Sequence, residues 1–176
     1  MTERDALARA IYAASHLTGQ FTLRSGATST EYFDKYRFES DPTLLRTIAA
    51  ALGALIPSGV DALAGLELGG VPLAVALSQV SGLPAFFVRK EAKTYGTCQL
   101  AEGGELEGRH LLVVEDVVTS GGQVVTSCGD LRERGGVVEH ALCVIDREAG
   151  GPAALGEIGV ELRPLFTMGA LAAAVR

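Results

Sequence analysis

Apolar and polar positions along this chain switch between two rhythms, and the switching predicts its elements. Leu7, Ala10, Ile11 and Ala14 recur at spacings of three and four, an amphipathic helix over residues 3–16 that Thr18-Gly19 ends. Phe21 to Arg24 alternates like a short strand, Ser25 to Thr30 is rich in turn formers, and the aromatic-rich Tyr32 to Phe38 reads as a second strand. Asp41-Pro42 sets a capping acid before a proline, opening a helix to about Leu55 that Pro57-Ser58-Gly59 stops. Beyond it, Ala62 to Leu66, Pro84 to Val88, Leu111 to Val114, Val137 to Ile145 and Val160 to Phe166 read as strands, the last at an edge because it carries Pro164. Helical patterns lie between them at Val71 to Ser81, Gln123 to Arg134 and residues 150–158, while the tail Thr167 to Arg176 is small and alanine-rich. Leu111 to Val114 is apolar throughout, as expected of a strand buried on both faces of a parallel sheet. The alternation predicts an α/β fold, a mainly parallel five-stranded sheet with helices on both faces. Residues 1–40 would be a small N-terminal hood and 41–166 the α/β core of a single domain.

Composition narrows the class. The chain has 176 residues, 48% hydrophobic and 20% charged, enough for one globular domain with a substantial core. No stretch approaches the roughly 20 apolar residues of a membrane span. Met1 to Asp5 lacks a basic region leading into an apolar one, so no secretory signal is expected. Cys98, Cys128 and Cys143 are widely spaced without a Cys-x-x-Cys pair, which suggests reduced structural thiols in a cytoplasmic protein. The net charge of −6 argues against a broad nucleic-acid-binding face but allows an anionic small ligand in a locally positive cleft. Of the three lysines, Lys35, Lys90 and Lys93, the last two cluster beside Arg89. They precede a stretch without periodicity, Thr94 to Gly108, of a length usual for lids.

The densest chemistry lies between His110 and Gly122. Glu115 and Asp116 close the apolar run, and Thr119-Ser120-Gly121-Gly122 leads into the next helix. A glycine-bearing turn at a helix N-terminus suits an anion, because free N–H groups and the helix dipole both favour negative charge. Paired carboxylates would repel a bare phosphate, so they suit sugar hydroxyls or a hydrated Mg²⁺. A phosphorylated ribose offers both partners. Gly69-Gly70 is a second strand-to-helix turn, open equally to anion binding and to ordinary turn chemistry.

Four hydrophobic residues, two acids, two hydrophobics, Thr, a small residue and glycine resemble the phosphoribosyl-pyrophosphate (PRPP) motif of type I phosphoribosyltransferases. Phe21-Thr22-Leu23-Arg24-Ser25-Gly26 with Tyr32-Phe33 resembles the hood of the orotate phosphoribosyltransferase family, and Arg89-Lys90-Glu91-Ala92-Lys93 its catalytic loop. The resemblance implies transfer of the phosphoribosyl group of PRPP to orotate, in pyrimidine biosynthesis. It implies PRPP contacts at Gly69, Arg89, Lys90, Lys93, Glu115, Asp116, Val117, Val118, Thr119, Ser120, Gly121, Gly122 and Gln123, and orotate contacts at Arg24, Tyr32, Phe33, Thr119 and Arg147. Lys93, Glu115 and Asp116 would be catalytic, residues 92–108 a mobile loop, and Mg²⁺ the cofactor, held mainly by PRPP and water. A homodimer sharing that loop between subunits is also implied. Two departures stand out: Gly69 where many members have lysine, and Tyr95 where histidine is usual. On the residues alone, the hairpin could equally pack on the core, and Arg147 could pair with Asp146 on the surface. A purine-type phosphoribosyltransferase or a non-catalytic PRPP-binding regulator would share the central motif but not this hood and loop.

Overall fold

The computed structural model describes residues 2–22, 26–91 and 100–176. The chain opens with α1 (Glu3–Ser15), started by a capping box between Thr2 and Asp5. β1 (His16–Thr22) and β2 (Thr28–Phe33) form an antiparallel hairpin, followed by α2 (Tyr36–Ser40) and α3 (Pro42–Gly53). Asp41 caps α3 by accepting from the Thr43 and Leu44 N–H groups. The core continues through β3 (Ala62–Leu66), α4 (Gly70–Ser81), β4 (Ala85–Val88), β5 (Ala101–Glu102) and β6 (His110–Val118). It ends with α5 (Gly122–Glu133), β7 (Val137–Asp146), α6 (Gly151–Glu157), β8 (Glu161–Thr167) and α7 (Met168–Ala174).

The sheet order is β5-β4-β3-β6-β7-β8, with β5 antiparallel to β4 and the other five strands parallel. The five expected parallel strands are therefore present, extended by a two-residue edge strand. Alternating side chains split the core in two. Leu63, Leu112, Val114, Leu142 and Leu165 pack with α1, α3, α4 and α7 on one face. Ala62, Ala64, Val113, Ala141 and Cys143 pack with α5 and α6 on the other. Small residues allow one close approach. A Cβ on Gly70 would lie 2.1 Å from the Val114 carbonyl oxygen, and one on Gly65 would lie 2.6 Å from the Gly70 carbonyl oxygen. The first turn of α4 therefore sits directly against β3 and β6.

Several boundaries differ from the sequence expectation. The strand read at Tyr32 to Phe38 stops at Phe33 and becomes α2. Asp34 turns the chain there, its Oδ1 accepting from the Tyr36 N–H, and Phe38 is buried in helical register. The first strand begins earlier, at His16, where pairing with Phe33 of β2 takes over from α1. β6 runs beyond Val114 to Val118 because it pairs with β7 as far as Asp146. Residues 100–108 are not all irregular, since Leu100 is buried and Ala101–Glu102 pairs with β4. The alanine-rich tail is a helix, α7, capped by Thr167 and anchored by the buried Leu171. Cys128 and Cys143 are buried, free thiols, and burial pushes the Cys128 thiol up to about 11. Among the described residues, no helix is long and apolar enough to cross a membrane.

Candidate functional site

Strand order fixes where a ligand can sit. From β3 the chain crosses through α4 to β4 on one side, and from β6 it crosses through α5 to β7 on the other. The crevice between the carboxyl ends of β3 and β6 is therefore the topological switch point of the sheet. The ends arrive in spatial order: Arg89-Lys90 after β4, Gly69-Gly70 after β3, Glu115-Asp116 on β6 with its following loop, and Arg147 after β7.

Glu115 and Asp116 belong to the strand rather than following it, and both are buried. The Asp116 N–H donates to Glu115 Oε1 at 2.9 Å, and the Val117 N–H donates to Asp116 Oδ1 at 2.5 Å. Asp116 Oδ2 lies 2.6 Å from Lys35 Nζ, across from the hood. Glu39, on α2, adjoins the same oxygen. A Cβ on Gly69 would stand 1.7 Å from Asp116 Oδ2 and 2.8 Å from Glu39 Oε1, so Gly69 is the floor of this cluster.

Three neighbouring carboxylates and one ammonium divide protons unequally. Burial favours the neutral form of Glu39, and its proton-sharing with Asp116 adds to this, so its pKa is pushed up to about 9. Burial and Asp116 likewise hold Glu115 well above the ordinary carboxylate range. Asp116 goes the other way: burial would raise it, but hydrogen bonds from Glu115, Lys35 and Glu39 outweigh that and lower it. Burial would lower the Lys35 ammonium too, yet its bond to Asp116 leaves it raised. The cluster thus holds one ionised acid, Asp116, beside one cation. An acid raised on folding stabilises the fold fully below its ordinary value near 4.5, and that contribution fades as the pH climbs toward about 9. Glu39→Gln should therefore melt at a higher temperature than the wild type at about pH 8, with the gap narrowing at about pH 5; thermal unfolding at both values checks this.

The loop after β6 provides the second half of the site. Thr119 and Ser120 are exposed, and Gly121, at φ +82°, caps α5 without a side-chain hydrogen bond. The first-turn N–H groups of α5, around Gly122 and Gln123, are left to solvent or an anion. Val117 is half-buried and Val118 fully so, and both side chains face the core, so these two can meet a ligand only through their backbone.

The remaining candidates line the flanks. Arg89 Nε lies 3.5 Å from Glu102 Oε1, and the Lys90 N–H donates to Glu67 Oε1 at 2.6 Å, tying the end of β4 to the Gly69 turn. Arg147 is exposed. Its neighbour Asp146 is buried and accepts from the Glu148 N–H at 2.9 Å. In the hood, Tyr32 is exposed and stacks on Phe21 with centroids 5.5 Å apart, whereas Phe33 turns to the opposite side and packs on the core near Tyr12. Strand alternation keeps these two rings from sharing one ligand face. Arg24, Lys93 and Tyr95 lie outside the described residues. Lys35 and Glu39 were missed as site residues; the scarcity of lysine in the chain is the one sequence signal that set Lys35 apart.

Comparison with known proteins follows the same lines. Residues 38–154 match the family model described as a phosphoribosyl transferase domain. An orotate phosphoribosyltransferase of Nocardioides sp. (strain ATCC BAA-499 / JS614) is 51% identical over 174 residues, 99% of this chain and 97% of that protein. A crystal structure of orotate phosphoribosyltransferase from Mycobacterium tuberculosis H37Rv superposes with a TM-score of 0.86 at 31% identity, covering 97% of this chain and 99% of that one. The structure of that enzyme in complex with PRPP gives 0.83 at 29% identity, with 97% and 99% coverage.

Proposed function

Because the chain belongs to the orotate phosphoribosyltransferases, within the phosphoribosyltransferase family, we propose that it transfers the 5-phosphoribosyl group of PRPP to orotate. The products are orotidine 5′-monophosphate and pyrophosphate, a step of pyrimidine biosynthesis. One observation carries the reading: a buried acid paired with Lys35 and an uncapped glycine turn meet at the switch point of a parallel sheet. The turn Thr119 to Gly122 cradles the 5′-phosphate, and Asp116 with Glu115 accepts from the ribose hydroxyls. The Gly69-Gly70 turn offers backbone N–H groups to the diphosphate, and Arg89 and Lys90 flank it.

The C1–oxygen bond to diphosphate breaks while orotate's ring nitrogen approaches C1, so positive charge develops on the sugar and negative charge on the leaving group. The hard carboxylate oxygens of Glu115 and Asp116 would suit a hydrated Mg²⁺ brought in with PRPP. When bound, that ion offsets charge on the diphosphate. Lys93 serves the same leaving group, and Arg24, Tyr32 and Arg147 hold orotate's anionic edge. We place the enzyme in the cytoplasm as a homodimer whose loops are shared between subunits.

Orotate loss followed by absorbance with PRPP and Mg²⁺, against uracil, hypoxanthine and adenine, tests the assignment: only orotate should be consumed. Lys93→Ala should lower kcat by about 10²-fold while changing KM for orotate much less, as for a group acting on the transition state. Unchanged turnover would remove Lys93 from the mechanism.

A further inference from the structure

Lys35 has no part in the scheme above, yet it holds the one acid that the scheme needs charged. It leads into α2, an element of the hood, and reaches the end of β6 to place Nζ 2.6 Å from Asp116 Oδ2. Asp116 is fully buried, with Glu115 beside it on β6 and Glu39 facing it from α2. Asp34 and the Tyr36 hydroxyl lie near the same cluster from the hood side. Among the described residues, Lys35 is the only cation paired with Asp116. Gly69 makes room for the assembly, since its missing Cβ would collide with Asp116 and crowd Glu39.

We propose that Lys35 is a positioning residue for the ribose of PRPP: reaching from the hood, it pairs with Asp116 and fixes it at the switch point, ready to accept from the sugar's vicinal hydroxyls. Three buried carboxylates without a cation would share protons, and a protonated Asp116 would offer one acceptor oxygen fewer. Lys35 also fixes the side chain from the side opposite its bond to the Val117 N–H, so Asp116 has little to reorganise when the sugar arrives. This inference rests on the proposed PRPP chemistry and adds a component supplied by the hood.

The test compares full-length wild type, Lys35→Met, Lys35→Gln and Lys35→Arg. Steady-state kinetics with PRPP varied at saturating orotate, from about pH 6 to about pH 9, give the KM and kcat split. Calorimetry of Mg-PRPP binding without orotate reads the same site independently of turnover, and melting of the unliganded proteins reads the fold. Lys35→Met and Lys35→Gln should raise KM and Kd for PRPP about tenfold or more with kcat within about threefold. Their acidic limb of kcat/KM should move to higher pH, because Asp116 protonates more readily without its partner. Lys35→Arg should restore most of the affinity and the wild-type limb.

PRPP affinity unchanged in the neutral variants, or losses that Lys35→Arg does not rescue, would overturn the proposal. Should one neutral variant fail to fold, the other and the arginine variant carry the comparison. A wild type that binds Mg-PRPP but leaves orotate untouched would sink the assigned reaction while the binding series still decides the role of Lys35.

Discussion

Asp116→Asn is expected to lower kcat/KM for PRPP by about two to three orders of magnitude while leaving the protein folded. Hydrogen bonds to an ionised partner contribute about 1.5–3 kcal/mol each, and each 1.4 kcal/mol is about a factor of ten. The amide keeps a carbonyl for the Val117 N–H, so the end of β6 has no reason to move. It loses the charge, and its NH₂ presents donors where the ribose hydroxyls also need to donate. It also strands Lys35, whose ammonium loses the carboxylate it pairs with. Steady-state kinetics with PRPP as the varied substrate, alongside a melting curve, would settle it. A loss under about threefold in a folded protein would mean that Asp116 is not the ribose acceptor.

Gly70→Ala is expected to be the most destabilising single methyl at the site. The added Cβ would lie 2.1 Å from the Val114 carbonyl oxygen and 3.1 Å from its carbon, both backbone atoms of the central strand. No rotamer relieves that contact, so the first turn of α4 must lift away from β6. Overpacking typically costs about 1–3 kcal/mol and at rigid backbone more. At about 3 kcal/mol, the upper end of that range, and about 2–4 °C per kcal/mol for a chain of this size, the melting temperature should fall by roughly 6–12 °C. Gly129→Ala is the control. It sits within α5 with nothing within 4 Å of its added methyl, and should be neutral or stabilising by up to about 1 kcal/mol. Equal melting of the two variants would contradict the close approach described for α4.

The elements that carried a strong period were legible from the residues alone. Leu111 to Val114 is apolar on both faces because helices cover both sides of the sheet there, and nothing local competes with that reading. The Thr119 to Gly122 turn was legible because a strand, paired acids and glycines occur in fixed order. Tyr32 to Phe38 misled because aromatic residues favour strands, while the turn at Asp34 and the burial of Phe38 decide the outcome through tertiary contacts. Glu39 and Lys35 were invisible as site residues for a related reason. They lie 76 to 81 positions away in the chain from Glu115 and Asp116, and only the packing of α2 against the sheet brings them together.

Asp116 draws its counter-charge from the N-terminal cap, not from the sheet that bears it, and this limits how freely such proteins can exchange parts. A cap transplanted from a protein without a cation at this position would remove the ion partner of Asp116 while leaving the strand that bears it intact. Such a chimera would need a substitute cation at the Gly69 turn or elsewhere before Asp116 regained an ion partner, so the cap and this edge of the sheet must change together.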